Sequence, residues 1–372
     1  MPDAFASDTR VVSGLTDDET FMRRALVLAA RGVGQTAPNP KVGAVVVNDG
    51  VVVGEGWHAR YGGAHAEVSA LASAGAGALG ATVYVTLEPC NHTGQTPPCV
   101  DALVDAGVRR VVYALADPNP VAAGGAARLR AHGVEVVGDV LHDEAAELNA
   151  PFLFAARRQD RPFVTLKLAL SIDGALVDAS RATRWLTNAE SRREVHRLRS
   201  DADAIATGIN TVLADDPLLT VRHVSAPRIA PTRIVFDHLA RLPTDGALAR
   251  SVAEAPVLVV ALPEAARRAA MLEQVGVGLL VADSLTSALQ QLRDRQVQHV
   301  LVEGGAGLAS AFMEAGFVDR LVIFQVPVVL GAGALAAFAH LSQGAARNAR
   351  LSLIGRKALG VVLMSTYAVS AD

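Results

Sequence analysis

His65, Glu67, Cys90 and Cys99 are the residues whose types and spacing could do chemistry together. One imidazole and two thiols form a ligand set suited to Zn²⁺. Three protein ligands keep a fourth tetrahedral position for water, which is the catalytic rather than the structural arrangement. Glu67 stands two residues past His65. A carboxylate that close to a metal without ligating it can take a proton from water and deliver it to a leaving group. Cys90 follows Pro89, and eight residues separate it from Cys99, the only other cysteine in the chain. Two other readings stay open at this level. The thiols can be inert and buried beside an unrelated histidine, or His92 can close the zinc as a fourth ligand, leaving Glu67 without a role.

These residues need elements to hold them. Residues 16–31 begin with a cap-like Thr16, carry acids in the first turn and space apolar residues helically, which predicts a helix. Residues 36–40 form a turn, and β-branched runs at 42–47 and 51–53 around Asn48-Asp49-Gly50 predict a hairpin. A helix over 65–74 puts His65 and Glu67 in its first turn, where backbone N–H groups also face the metal site. A strand over 82–87 delivers Cys90, and Cys99 begins a helix running over 100–106. A strand over 109–115, a turn over 117–120 and helices over 126–132 and 145–154 complete an alternation that argues an α/β sandwich.

The charge cluster at 152–161, ending before Pro162, marks a boundary, giving expected domains over 16–150 and 160–372. The second begins with a strand over 163–170 that Lys167 ends. Helices are expected at 189–199 and 309–314, strands at 204–207, 232–237, 257–261, 300–303 and 321–329, and a closing strand pair within 351–369. This half is α/β as well.

The whole chain bounds the function. With 372 residues there is room for two cores. A net charge of −3 gives no basic excess for nucleic acid or an anionic membrane, so neither is an expected partner. The apolar run at 326–341 is broken by Pro327, Gly331 and Gly333, too short and interrupted to span a bilayer. The first residues lack a basic segment and an apolar core, so they read as a loose leader, not a secretory signal. With both cysteines committed to a metal, a reducing cytoplasm fits.

Taken together, the chain closely resembles the bifunctional deaminase–reductase of riboflavin biosynthesis. The first half carries this in residues 38–43 (PNPKVG), 54–58 (GEGWH), 65–68 (HAEV) and the run from Thr86 through Cys90 to Cys99. The eight-residue spacer separates this pattern from the H-x-E…P-C-x-x-C of nucleobase deaminases. The resemblance implies a cytidine-deaminase-like α/β/α sandwich holding one Zn²⁺ per chain. It implies hydrolysis of an exocyclic amine on a diaminopyrimidinone ribosyl phosphate, with zinc hydroxide adding to the ring carbon and Glu67 carrying the proton. Asn39 and His58 then contact the ring or sugar; read alone, Asn39 is a turn residue before proline and His58 a surface histidine. Gln95 stands where the family pattern has a basic residue.

The second half carries the resemblance in residues 162–167 (PFVTLK), 171–174 (SIDG), 185–187 (WLT), 207–222 (TGINTVLADDPLLTVR) and 302–307 (VEGGAG). It implies a dihydrofolate-reductase-like α/β domain that uses NADPH to reduce the ribosyl group of the deaminated product to ribityl. It assigns Ala169, Trp185, Thr211, Asp215, Gly305, Ala306, Gly307 and Leu308 to the cofactor. Thr183, Arg199, Leu219, Arg222 and Glu303 fall to the sugar phosphate. The two arginines suit a phosphate by fork geometry. Lys167 is placed to polarise the sugar oxygen at the carbon that receives hydride. The glycines between an apolar strand and a helix allow close approach of a phosphate to free N–H groups, although the Rossmann fingerprint is incomplete. Ser180 to Thr183 departs from the Gly-x-Ser turn of the pattern. The substrate partner is a small pyrimidine ribosyl phosphate, and a homo-oligomer is expected.

Overall fold

A computed structural model describes residues 16–94, 97–180, 188–344 and 349–371. The chain divides into two compact units between Arg157 and Arg158.

In the first unit the elements run α1 (Asp17–Ala29), β1 (Gly43–Asn48), β2 (Val51–Trp57), α2 (Ala66–Ala74), β3 (Thr82–Val85), α3 (Cys99–Asp105), β4 (Arg110–Tyr113), α4 (Gly125–Ala131), β5 (Glu135–Val137), α5 (His142–Leu148) and α6 (Ala150–Arg157). Thr16 and Glu19 form a capping box that starts α1. The sheet order is β2-β1-β3-β4-β5, antiparallel across β1 and parallel from β3 to β5. Alternation along β1 builds two cores. Ala44 and Val46 pack with Ala66, Ala70 and Leu103 on one face, while Val45 and Val47 pack with Met22, Ala25 and Leu28 on the other. Helices therefore cover both faces. Gly54 and Gly56 make this close: a Cβ on either would lie 2.4 Å from the Ala70 backbone, so only glycine lets α2 lie flat on β2.

The second unit contains β6 (Phe163–Leu170), β7 (Ala175–Val177), α7 (Ala189–Ser200), β8 (Ala204–Gly208), α8 (Ile209–Asp215), β9 (Thr232–Phe236), α9 (Ala247–Arg250), β10 (Val257–Ala261), α10 (Ala266–Gln274), β11 (Gly278–Val281), α11 (Leu285–Asp294), β12 (His299–Val302), α12 (Ala306–Glu314), β13 (Arg320–Gln325), β14 (Leu335–Ala336), β15 (Ala349–Leu359) and β16 (Val362–Ala371). Nine strands form one sheet in the order β11-β10-β9-β8-β12-β6-β13-β16-β15. It is parallel from β11 to β13, and the closing β16–β15 pair is antiparallel. The chain steps outward from β8 to β11, then returns to lay β12 between β8 and β6. Such a reversal opens a crevice at the carboxyl ends of the strands, where α/β sheets bind ligands.

Candidate active sites

In the first unit the metal candidates converge from three elements. His65 is the N-cap residue of α2, in extended backbone. Cys99 is the first residue of α3, and Cys90 lies in the buried segment that follows β3. Nδ1 of His65 lies 3.1 Å from Sγ of Cys99 and 3.5 Å from Sγ of Cys90, and all three donor atoms fall within 4.8 Å of one another. Tetrahedral zinc with ordinary Zn–S and Zn–N bonds spaces its donors about 3.5–3.8 Å apart, so this set fits the ion. Among the described residues it is the one group of three or more His, Cys or carboxylates so placed. His92 is not part of this group and lines the cavity over it.

Electrostatics point the same way. The Cys99 backbone N–H donates to Sγ of Cys90 at 3.3 Å. Hydrogen bonding with Cys99, and then with His65, pulls the Cys90 thiol down, and the same pairing with Cys90 pushes the Cys99 thiol up, so the two sulfurs titrate as a pair. Glu67, in the first turn of α2, is 4% exposed, and burial pushes its carboxyl above the usual range.

A cavity of about 260 Å³ opens over His65, Glu67 and Cys90, and Asn39, His58, His92, Asp117 and Asn119 line it with them. His58 is buried, not on the surface. Its Nδ1 faces the Ala64 carbonyl at 3.1 Å and its Nε2 faces Nδ2 of Asn39 at 3.4 Å. That assigns the tautomer, with Nδ1–H donating to Ala64 and Nε2 accepting from Asn39. Nδ1 of His92 is buried with no partner among the described residues. Several supports were missed from sequence. Glu88 accepts from the N–H groups of Ala126 and Asp117, tying α4 and the 117–120 turn to the Cys90 segment. Asn149 clamps Lys41 through both backbone groups, at 2.8 and 3.0 Å, and so steadies the neighbouring Asn39. Gln95 lies outside the described residues.

In the second unit Lys167 sits within β6 rather than at its end, on the face opposite Leu166 and Leu168 of the core. Glu303 directly follows β12; its N–H donates to Ala206 and its carbonyl accepts from Oγ1 of Thr207. Its carboxylate accepts from Nε and Nη2 of Arg199, at 2.5 and 3.1 Å, and lies 3.8 Å from Nζ of Lys167. Burial pushes this carboxyl up, but Arg199 and Lys167 outweigh burial and hold it at about 2. Burial pulls the Lys167 ammonium down, opposed by Glu303.

A cavity of about 800 Å³ occupies the crevice. Lys167, Ala169, Thr211, Asp215, Glu303 and residues 304–308 all line it. The dinucleotide fits this cradle. Gly305 caps α12, a Cβ on Gly307 would meet only open space, and the first N–H groups of the helix are available to an anion. His238, Arg241 and Ser284 also line the cavity, and nothing in the sequence pattern singled them out. Asp216 is turned away, accepting from the Ala247 N–H, so it forms no carboxylate pair with Asp215. Arg199, Leu219 and Arg222 are not among the lining residues. Arg199 gives three of its five N–H donors to Glu303 and the Thr220 carbonyl, and Arg222 is exposed. Thr183 and Trp185 lie outside the described residues.

Comparison with known proteins now has a geometry to meet. Residues 15–115 match the cytidine and deoxycytidylate deaminase zinc-binding region, and residues 162–363 match the RibD C-terminal domain. The chain is 44% identical over 319 residues to riboflavin biosynthesis protein RibD of Aquifex aeolicus, covering 85% of this chain and 88% of that one. It is 42% identical over 338 residues to the protein of the same name from Escherichia coli, covering 85% and 89%. The solved structure of Acinetobacter baumannii RibD is 39% identical, with a TM-score of 0.80 over 95% of this chain and 99% of that one. A Thermotoga maritima diaminohydroxyphosphoribosylaminopyrimidine deaminase/5-amino-6-(5-phosphoribosylamino)uracil reductase is 33% identical, with a TM-score of 0.81 over the same shares. No described helix is long and apolar enough to cross a membrane. With a zinc-binding deaminase unit and a reductase unit in one polypeptide, the chain belongs to the RibD family of bifunctional riboflavin-biosynthesis enzymes.

Proposed function

We propose that the two units act in sequence, the first deaminating 2,5-diamino-6-ribosylamino-4(3H)-pyrimidinone 5′-phosphate and the second reducing the ribosyl side chain of the product to ribityl. The observation that carries this is that each unit holds its own complete set of reactive groups. His65, Cys90 and Cys99 hold the zinc, which supplies the Lewis acidity that makes water nucleophilic at neutral pH. Glu67 takes the proton from the attacking water and delivers it to the amine, which leaves as ammonia. Asn39 and His58 orient the ring beside it.

In the second unit Ala169, Thr211, Asp215 and residues 305–308 line the cavity and would hold NADPH, which would supply the hydride. Lys167 polarises the sugar oxygen at the carbon that accepts it, and Glu303 orders Lys167 and Arg199 around the sugar. Arg222 takes the phosphate, with Leu219 on the same loop. The enzyme works in the cytoplasm, which suits its two reduced thiols. It assembles as a homo-oligomer; the eleven-residue edge strand β15 exposes Leu351, Leu353 and Ile354, a surface that invites pairing. Sedimentation tests the oligomer. A coupled assay on the diaminopyrimidine tests the function: ammonia and oxidised NADPH should appear in equal amounts, ammonia first. Oxidation of NADPH on the untreated substrate without ammonia release would reverse the order.

A further inference from the structure

We propose that His196 is a positioning residue for the reductase reaction, holding the backbone of Arg222 so that its guanidinium meets the substrate phosphate. The inference rests on the assignment of Arg222 to that phosphate. His196 lies on α7 and is 6% exposed. Its Nδ1 accepts the backbone N–H of Arg222 at 3.1 Å. A backbone N–H can only donate, so Nδ1 carries no proton and the imidazole is neutral with Nε2–H.

This bond is one of three that hold a single loop. Nη1 of Arg199, one turn along α7, donates to the Thr220 carbonyl at 2.9 Å. Nη1 of Arg233, on β9, donates to the Leu218 carbonyl at 3.1 Å. The loop needs them. Leu219 and His223 have φ of +51° and +63°, left-handed backbone that residues with side chains rarely adopt. Such conformations persist where the surroundings over-determine them, and they gather at binding sites. Arg222 lies between the two, and His196 is the side chain that fixes its N–H.

The surroundings keep His196 in the form this bond requires. Burial disfavours its charge, and it faces Arg199 on its own helix and Arg222 and His223 on the loop, with Glu303 after β12 opposing them; together they pull it down to about 4. The His223 ring packs edge-on against it, with centroids 5.4 Å apart. His196 is not among the residues lining the cofactor cavity, so its effect reaches the reaction through Arg222.

The test uses the full zinc-loaded enzyme, saturating NADPH and the deaminated pyrimidine with and without its 5′-phosphate. His196→Ala should raise KM for the phosphorylated substrate about tenfold, in keeping with loss of one buried hydrogen bond. Its kcat should stay within about twofold, and KM for NADPH should hold, which also shows that the unit is folded. His196→Asn, whose Oδ1 falls where Nδ1 was, should bring KM back to within about threefold of the parent. His196→Gln, whose oxygen falls near Nε2, should not. On the substrate without phosphate, His196→Ala and the parent should have equal KM. An unchanged KM in His196→Ala, a loss confined to kcat, or equal loss in the Asn and Gln variants would overturn the inference. Arg222→Ala separates the two levels. If it leaves KM for the phosphorylated substrate unchanged, the phosphate assignment fails and the inference with it. If it raises KM while His196→Ala does not, the positioning role alone fails.

Discussion

Glu67 in the first unit and Glu303 in the second are both largely out of solvent at a reactive centre, and the two carboxyls are driven in opposite directions. Glu67 is surrounded by the metal donors, and burial pushes its carboxyl up. Glu303 is pushed the same way by burial, but two cations within hydrogen-bonding or ion-pair reach hold it at about 2. The difference separates two uses of a buried acid. A proton carrier must have both protonation states within reach near neutral pH, which partial desolvation allows. An anion that orders neighbouring cations must stay ionised, and Arg199 and Lys167 ensure that. On the proposed reading, Glu67 serves the chemistry and Glu303 orders Lys167 and Arg199 around it.

The sharpest way to break this comparison is to remove the charge from each in turn. Glu67→Gln keeps the shape and cannot accept a proton, so ammonia release should fall by about 10²–10⁴-fold. Zinc content, measured by metal analysis, should stay near one per chain, and NADPH oxidation on the deaminated substrate should be normal. Cys90→Ser and Cys99→Ser should instead lose the metal, because each removes one of only three protein ligands. Loss of both reactions in a folded, zinc-loaded Glu67→Gln enzyme would mean that the two carboxyls share one site.

Glu303→Gln should act on the fold as well as on the reaction. It strands two largely buried cations, and breaking such a pair costs about 3–5 kcal/mol. Urea denaturation followed by a probe in the second unit reads the loss. Lys167→Ala should abolish reduction while ammonia release continues. A Glu303→Gln enzyme as stable as the parent would mean that Lys167 and Arg199 do not depend on it. Arg222→Ala comes next in size. One charge-assisted contact is worth roughly 1.5–3 kcal/mol, so KM for the phosphorylated pyrimidine should rise by about one to two orders of magnitude while KM for NADPH holds.

The two sites were unequally legible. The zinc donors and Glu67 could be read because three short segments carry them, two of them at helix starts, where local spacing fixes what a helix N-terminus presents. Both α/β units and most strands followed from apolar runs, and β1 shows the alternation directly. What lay beyond reach is pairing at long range. Arg199 meets Glu303 across 104 residues of chain and Asn149 meets Lys41 across 108, and no local pattern encodes either contact. Fork geometry suggested that Arg199 binds phosphate; the fold adds a second role, since three of its five N–H donors go to Glu303 and the Thr220 carbonyl. The strand over 163–170 has the bounds expected from its apolar run, but Lys167, whose charge interrupts that run, sits inside β6 facing the crevice rather than at its end. His58 read as a surface residue because nothing in the sequence shows that Ala64 and Asn39 satisfy both ring nitrogens.

The smallest expected effect is the acid response of the second unit. The folded carboxyl of Glu303 is held at about 2, below the ordinary carboxylate value of about 4.3, so the unfolded chain takes up this proton first as pH falls. The contribution is complete above about 4.3 and is lost between there and about 2, at no more than about 1.4 kcal/mol per pH unit. About 1 kcal/mol should be gone by pH 3.5. His196 adds a loss in an earlier window. It is pulled down to about 4 from an ordinary value of about 6.5, and stability falls as pH drops between those values. Hydrogen exchange of the β12 amides, corrected for intrinsic rates, isolates the second unit from any release of zinc in the first. Between pH 5 and 3.5 those amides should lose protection in the parent. In Glu303→Gln the Glu303 component should vanish while the His196 component remains. Equal acid loss in the parent and the variant would show that Glu303 titrates as an ordinary carboxyl, and the contrast with Glu67 would then rest on position alone.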